Sequence, residues 1–283
     1  GLTASMIQRA AASQKRLNEF LNITPEIKDA PDAKEFEING DVSFENISFI
    51  YPDTGIEALK NFTLKIKKGE KVAITGKTGS GKTTIAQLML RMYDADKGSI
   101  KYDGHLITDF KLSTLREQIS YVPQDVFLFS DTVENNIRFA IPNAKINEVV
   151  EAAQMAGVAK EIDGFNEGYQ TMIGERGVTL SGGQKQRISI ARALLKKPHL
   201  IIFDDCLSAV DAKTEQDIMN QLQQYLADKT AVIITHRVFS LLSFDKIVVL
   251  DEGEIAEQGT HDELIKKGGF YAKLYTRQQQ GRY

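Results

Sequence analysis

Eight consecutive residues, Gly76-Lys77-Thr78-Gly79-Ser80-Gly81-Lys82-Thr83, have the types and spacing of a phosphate-binding loop. The glycines let the backbone turn tightly with its N–H groups pointing inward, a nest for phosphate oxygens. A helix N-terminus at the end of such a loop adds unpaired donors and a partial positive charge. Lys82 can then reach the β- and γ-phosphates and the Thr83 hydroxyl can ligate Mg2+, with Thr84 in the same cradle. A nucleoside triphosphate is the ligand this chemistry predicts. Further along, the apolar run Leu200-Ile201-Ile202-Phe203 ends in Asp204, a carboxylate placed to hold Mg2+ through water.

These residues need a frame. The apolar run Val72-Ala73-Ile74-Thr75 predicts a strand feeding the loop, and residues 84–90 predict a helix leaving it. Alternation from residue 42 (Val42, Phe44, Ile47, Phe49) predicts one strand and residues 58–66 another, with a turn-rich loop around Tyr51 between them. A small β element at 99–102 turns at Asp103-Gly104, and a buried strand at 119–122 leads into Pro123-Gln124-Asp125. Residues 130–160 read as mainly helical, 164–183 as a glycine-rich loop, and 182–195 as a long helix. A helix at 212–226, strands at 231–235 and 247–250, and a helical, solvated tail at 260–280 complete the pattern. Strands alternating with helices predict an α/β protein with a largely parallel sheet covered on both faces.

Composition narrows the class. The chain has 283 residues, 42% hydrophobic and 26% charged, ordinary for a soluble globular protein. A net charge of −3 with scattered lysines and arginines argues against a nucleic-acid partner held by a basic face. Cys206 is the only cysteine, so no intramolecular disulfide forms; it reads as a small core residue in a reducing compartment. No apolar run is long enough to cross a bilayer. A helical pattern starts directly after Gly1, with apolar positions that make no clean stripe, and residues 22–41 read as a linker. A segment cut from a longer polypeptide is therefore expected.

Leu180-Ser181-Gly182-Gly183-Gln184, just before the long helix, resembles the signature sequence of ATP-binding cassette (ABC) proteins. The resemblance extends over about residues 42–280. It implies a P-loop NTPase core with a small antiparallel β subdomain and an inserted α-helical signature subdomain at about 125–185, all within an ATP-binding domain at 42–283. In that family Ser181, Gly182, Gly183 and Gln184 would clamp the ATP of an opposing cassette, so that two domains sandwich two nucleotides head to tail. Tyr51 matches the position that stacks on adenine, and Gln124 a glutamine that touches Mg2+ or water and senses the membrane domain. Ser208-Ala209-Val210-Asp211 matches a loop lying against the partner cassette, and His236 a histidine that follows a strand and contacts the γ-phosphate. His105, His199 and His261 match nothing and read as surface residues. The resemblance thus implies ATP and Mg2+ as cofactors, with Thr83, Gln124 and Asp204 at the metal and Lys82, Gln124, Asp205 and His236 in catalysis.

Gly174-Glu175-Arg176-Gly177 is similar to a loop of ABC exporters in which the glutamate faces the membrane domains. Residues 1–41 then resemble the cytoplasmic end of a last transmembrane helix plus linker, placing the domain on the cytoplasmic face of a membrane. One residue departs from the pattern: the position after Asp204 is usually glutamate, which polarises the attacking water, and here it is Asp205. Two-part exporters carry such a change at one weak site. The expectation is therefore one half of a heterodimeric exporter with slow hydrolysis over its own loop. A homodimer in which Asp205 serves as base is the alternative. A soluble ABC ATPase would bring a coiled-coil insertion or second cassette not found here, a pure binding module is favoured only by Asp205, and an importer cassette lacks the leading helix and linker.

Overall fold

The computed structural model describes residues 1–174, 177–207, 212–237 and 244–280. In chain order its elements are α1 (Leu2–Leu21), β1 (Val42–Ile50), β2 (Glu57–Ile66), β3 (Lys71–Gly76), α2 (Lys82–Met89), β4 (Lys97–Tyr102), β5 (His105–Leu106), α3 (Leu112–Gln118), β6 (Ile119–Val122), α4 (Val133–Arg138), α5 (Ile146–Met155), α6 (Ala159–Asp163), α7 (Gly182–Leu195), β7 (Leu200–Asp204), α8 (Ala212–Tyr225), β8 (Thr230–Ile234), β9 (Lys246–Asp251), β10 (Glu254–Gly259), α9 (His261–Lys267) and α10 (Phe270–Gln279). None of the described helices is long and apolar enough to cross a membrane.

A four-stranded sheet in the order β2-β1-β4-β5 is antiparallel. In β1 the inward residues are Val42 and Phe44, then Ile47 and Phe49, a break in the two-residue period. The register against β2 shifts at that point, and Asn46 takes a left-handed φ of 51°, so an extra residue is bulged out and the next apolar residue returns to the core. The second sheet runs β10-β9-β3-β8-β7-β6; β9, β3, β8, β7 and β6 are parallel, and β10 is antiparallel to β9.

Being covered on both faces, the central strands are apolar on both, and alternation divides them between two cores. Leu200, Ile202, Val232, Ile234, Val72 and Ile74 pack with Ile85, Leu88 and Met89 of α2 and with the antiparallel sheet. Ile201, Phe203, Ala231, Ile233 and Ala73 face the other way, into a core with Ile188, Ala191 and Leu194 of α7 and Val149, Ala152 and Ala153 of α5. Each fully buried Ile or Leu contributes about 1.5–3 kcal/mol. The phosphate loop leaves β3, flanked by β9 and β8, so its base lies in the interior of the sheet.

Three features go beyond the sequence pattern. The polar stretch 254–259 becomes β10 because Glu252 (φ 48°) and Gly253 (φ 85°) form a two-residue hairpin with both φ values positive. The tail is not simply solvated: Leu264 and Tyr271 are buried, and Gly268 in the left-handed region separates α9 from α10. His261, expected at the surface, is half-buried with its Nδ1 2.8 Å from the Tyr271 hydroxyl. Finally, residues 34–38 lie on the domain. Lys34 bridges to Phe110, Ile38 is buried, and the Gln118 side chain accepts from the Ile38 N–H (2.8 Å) and donates to the Phe36 carbonyl (2.7 Å).

Candidate nucleotide-binding site

The loop after β3 is forced into shape by its glycines. Gly76 has φ 146°, and a Cβ there would come within 2.2 Å of the Leu250 carbonyl oxygen; at Gly81, φ 99°, it would come within 2.3 Å of that of Ala58. Gly81 is the N-cap of α2 and supplies no side-chain acceptor, so the first N–H groups of the helix stay open to an anion. Buried Lys82 curls back over the loop, its Nζ donating to the carbonyls of Lys77 (2.6 Å) and Gly76 (3.0 Å). Removal from water lowers its pKa, while Asp205 and Asp204 oppose the shift. The Lys77 side chain turns outward, 3.2 Å from Asp251 and over the Phe270 ring, and Thr78 and Gly79 are exposed at the tip. Ser80 is buried beneath, and the Thr84 hydroxyl is paired with Tyr51.

Asp204 closes β7 at 1% exposure. The exposed Thr83 hydroxyl donates to Oδ1 (3.2 Å) and the Tyr121 hydroxyl to Oδ2 (3.2 Å). Burial raises the Asp204 pKa, against the two hydroxyls and Lys82. Hard oxygen donors at Thr83 and Asp204, with a buried carboxylate short of positive charge, suit a magnesium ion that takes its other ligands from phosphates and water. Among the described residues no cluster of three His, Cys, Asp or Glu side chains offers an all-protein site.

The cost of burying Asp204 gives a signed prediction. Its folded pKa lies above the unfolded one, so folding binds a proton more tightly, and the charge weighs against the fold only above the carboxylate range. Asp204→Asn is expected to be more stable than the native chain at pH 8 by about 1 kcal/mol without nucleotide. The gain should vanish as pH falls toward about 4. Thermal melts across that range check it; a variant less stable at pH 8 would contradict the burial argument.

Asp205 follows in a left-handed conformation, φ 45°, which aspartate tolerates better than most residues. Its N–H donates to the Ile234 carbonyl (2.8 Å), and its carboxylate accepts the backbone N–H of His236. Burial raises its pKa, opposed first by His236. The His236 ring is bonded to the Gly76 backbone; desolvation and Lys82 lower its pKa. The His236 carbonyl accepts from the Gln278 side chain of α10 at 2.8 Å. Lys82, Asp204, Asp205 and His236 thus gather at the C-terminal ends of β3, β7 and β8.

Tyr51 packs edge-on against Phe49 and Tyr93, and its hydroxyl reaches Thr84 (2.8 Å) and Gln87 (2.7 Å), so the ring is fixed beside α2. Gln124 is exposed beyond β6, and among the described residues no hydrogen bond joins it to Thr83 or Asp204. Ser181 caps α7: its Oγ accepts from the Gln184 N–H (3.2 Å), and Gln184 accepts from the Ser181 N–H (2.9 Å). Gly182 and Gly183 open that helix. Among the described residues no hydrogen bond ties 181–184 to 76–84. Glu175 and residues 208–211 lie outside the described residues.

Two residues at this site carry no motif. Tyr121 was detectable only through strand parity, and Gln278 gives no sequence signal, because a surface helix far along the chain brings it to His236.

Residues 59–208 match the family described as ABC transporter, more than half of the chain. The chain belongs to the ABC transporter family. It is 44% identical over 279 residues to the probable multidrug resistance ABC transporter ATP-binding/permease protein YheI of Bacillus subtilis, covering 99% of this chain and 48% of that one. It is 42% identical over 272 residues to the ATP-dependent lipid A-core flippase of Photobacterium profundum, covering 96% and 46%. A bacterial Atm1-family ABC exporter solved with ATP bound superposes with a TM-score of 0.90 at 38% identity, over 96% of this chain and 48% of that chain. The chain thus spans about half the length of these relatives. The α/β architecture is that of an ABC cassette, and cassettes of this family bind and hydrolyse ATP.

Proposed function

We propose that this chain is the ATP-driven motor domain of an exporter, working by head-to-tail dimerisation of two cassettes on the cytoplasmic face of a membrane. The observation that carries this reading is the contrast between two helix N-termini. That of α2 is uncapped and faced by Lys82, open to phosphate, whereas Ser181 caps α7 itself in a separate part of the chain. As acceptor for Gln184 the serine keeps its O–H to donate outward, to a γ-phosphate held by an opposing cassette.

In this reading the loop N–H groups and Lys82 hold the phosphates, and Tyr51 lies against the base. Thr83 and Asp204 hold Mg2+, with Gln124 joining on closure. Held there, Mg2+ would supply positive charge against the phosphate oxygens as negative charge develops. Asp205 orients the attacking water and His236 stabilises the γ-phosphate. Binding free energy is thereby coupled to closure of the two domains. The membrane domains would seat near Gln124 and Glu175. Exposed Phe127 (67%) and Phe129, shortly after Gln124, support that placement, as do Phe139 (59%) and Ile141 across the same surface. The weak-base argument at Asp205 makes this one half of a heterodimer; a homodimer is the rival.

Analytical ultracentrifugation tests the head-to-tail claim. At high protein concentration a second copy's intact signature can stand in for that of a partner half. A non-hydrolysable ATP analogue with Mg2+ is then expected to dimerise the native chain, while Ser181→Arg stays monomeric at unchanged nucleotide affinity. A Ser181→Arg chain that dimerises like the native one would overturn it.

A further inference from the structure

Strand parity places an unassigned side chain at the metal-binding carboxylate. β6 and β7 are parallel, with Tyr121 opposite Ile202 and Val122 opposite Phe203. Side chains alternate, so Tyr121, Ile202 and Asp204 share the face turned toward α2, with Asp204 diagonal to Tyr121 and within reach of a long aromatic side chain. The ring packs against the core on that face, and its hydroxyl meets Oδ2 at 3.2 Å while Thr83 meets Oδ1. The two oxygens of a carboxylate at 1% exposure are thus each assigned to one hydroxyl.

We propose that Tyr121 is a positioning residue for the metal: its hydroxyl fixes the Asp204 carboxylate so that Oδ1 faces Thr83 and the ion. This rests on the reading of Asp204 as a metal-holding residue. Thr83 can ligate through a lone pair and still donate its proton to Oδ1, but without Tyr121 nothing described holds Oδ2, and the buried carboxylate can rotate or lose its orientation. Hydrogen-bond partners behind metal ligands typically govern about 10- to 100-fold of metal affinity. The phenol touches neither nucleotide nor water in this scheme and acts only through Asp204.

The test is Mn2+ binding, read by electron paramagnetic resonance, to the chain loaded with a non-hydrolysable ATP analogue. Tyr121→Phe keeps the ring and removes only the hydroxyl. It is expected to weaken Mn2+ about 10-fold, with nucleotide affinity measured in EDTA unchanged. In an Asp204→Asn background, where Mn2+ is already weak, Tyr121→Phe should add little. Native Mn2+ affinity in Tyr121→Phe, with Asp204→Asn weak, would overturn the positioning role alone. Native affinity in Asp204→Asn would overturn the metal reading and this inference with it. Equal losses in both backgrounds would show that Tyr121 acts by another route and would also overturn it. Thermal melts of the metal-free variants separate these outcomes from misfolding.

Discussion

Lys82→Ala is expected to lower ATP turnover by at least about 100-fold and to weaken ATP binding markedly, because it removes an ammonium aimed into the phosphate nest. That ammonium donates to the carbonyls of Gly76 and Lys77, acceptors that a phosphate would replace with full negative charge. Burial lowers its pKa, and the negative charges of Asp205 and Asp204 oppose that shift. Arginine should not rescue, because a planar fork cannot reproduce a single compact ammonium shared between the Gly76 and Lys77 carbonyls. Calorimetric ATP binding and phosphate release would check both halves. Near-native binding in Lys82→Ala would mean that the backbone nest and helix N-terminus suffice.

Asp205→Glu is expected to change turnover most in the other direction, raising it about 10- to 100-fold at saturating ATP with little change in nucleotide affinity. The native carboxylate is held by the His236 N–H on a backbone turned left-handed at φ 45°, so it has little freedom to advance toward a water. One methylene extends the reach by about 1–1.5 Å, a displacement of the size that costs or restores about 100-fold in rate. The lengthened chain must still fit the left-handed turn, which favours aspartate, so a modest loss of stability should accompany the gain. Comparing kcat of the two chains at high protein concentration, with Lys82→Ala as background, decides between the readings. Equal rates would make Asp205 an adequate base and remove the main support for a heterodimer. A large gain would direct the search to a partner cassette that supplies glutamate.

The chemistry was legible because its residues are local. A phosphate nest needs glycines, lysine and threonine within one turn, and a signature needs Ser181 and Gln184 three residues apart to cap a helix. Strand periodicity at 72–75, 200–203 and 231–235 likewise reports burial on both faces wherever the strands end up. Those signals determined the α/β class, the combination of motifs pointed to the ABC family, and the same residues nominated the loop as an NTP site with Asp204 as its acid.

Only the tertiary structure decided which distant residues reach Asp204 and His236. Tyr121 reaches Asp204 because β6 lies beside β7 in one register; a shift by one residue would turn the ring to the other face. Gln278 reaches His236 because Tyr271 is buried and the Glu257 carboxylate accepts the first N–H groups of α10, which together fix that helix. The tail reads as solvated for the same reason: its apolar residues are few, and burial of Leu264 and Tyr271 depends on the core they join with Ile247 and Val249 of β9. Local sequence encodes what one turn or strand needs. Partners from separate elements are chosen by packing, which no spacing along the chain records.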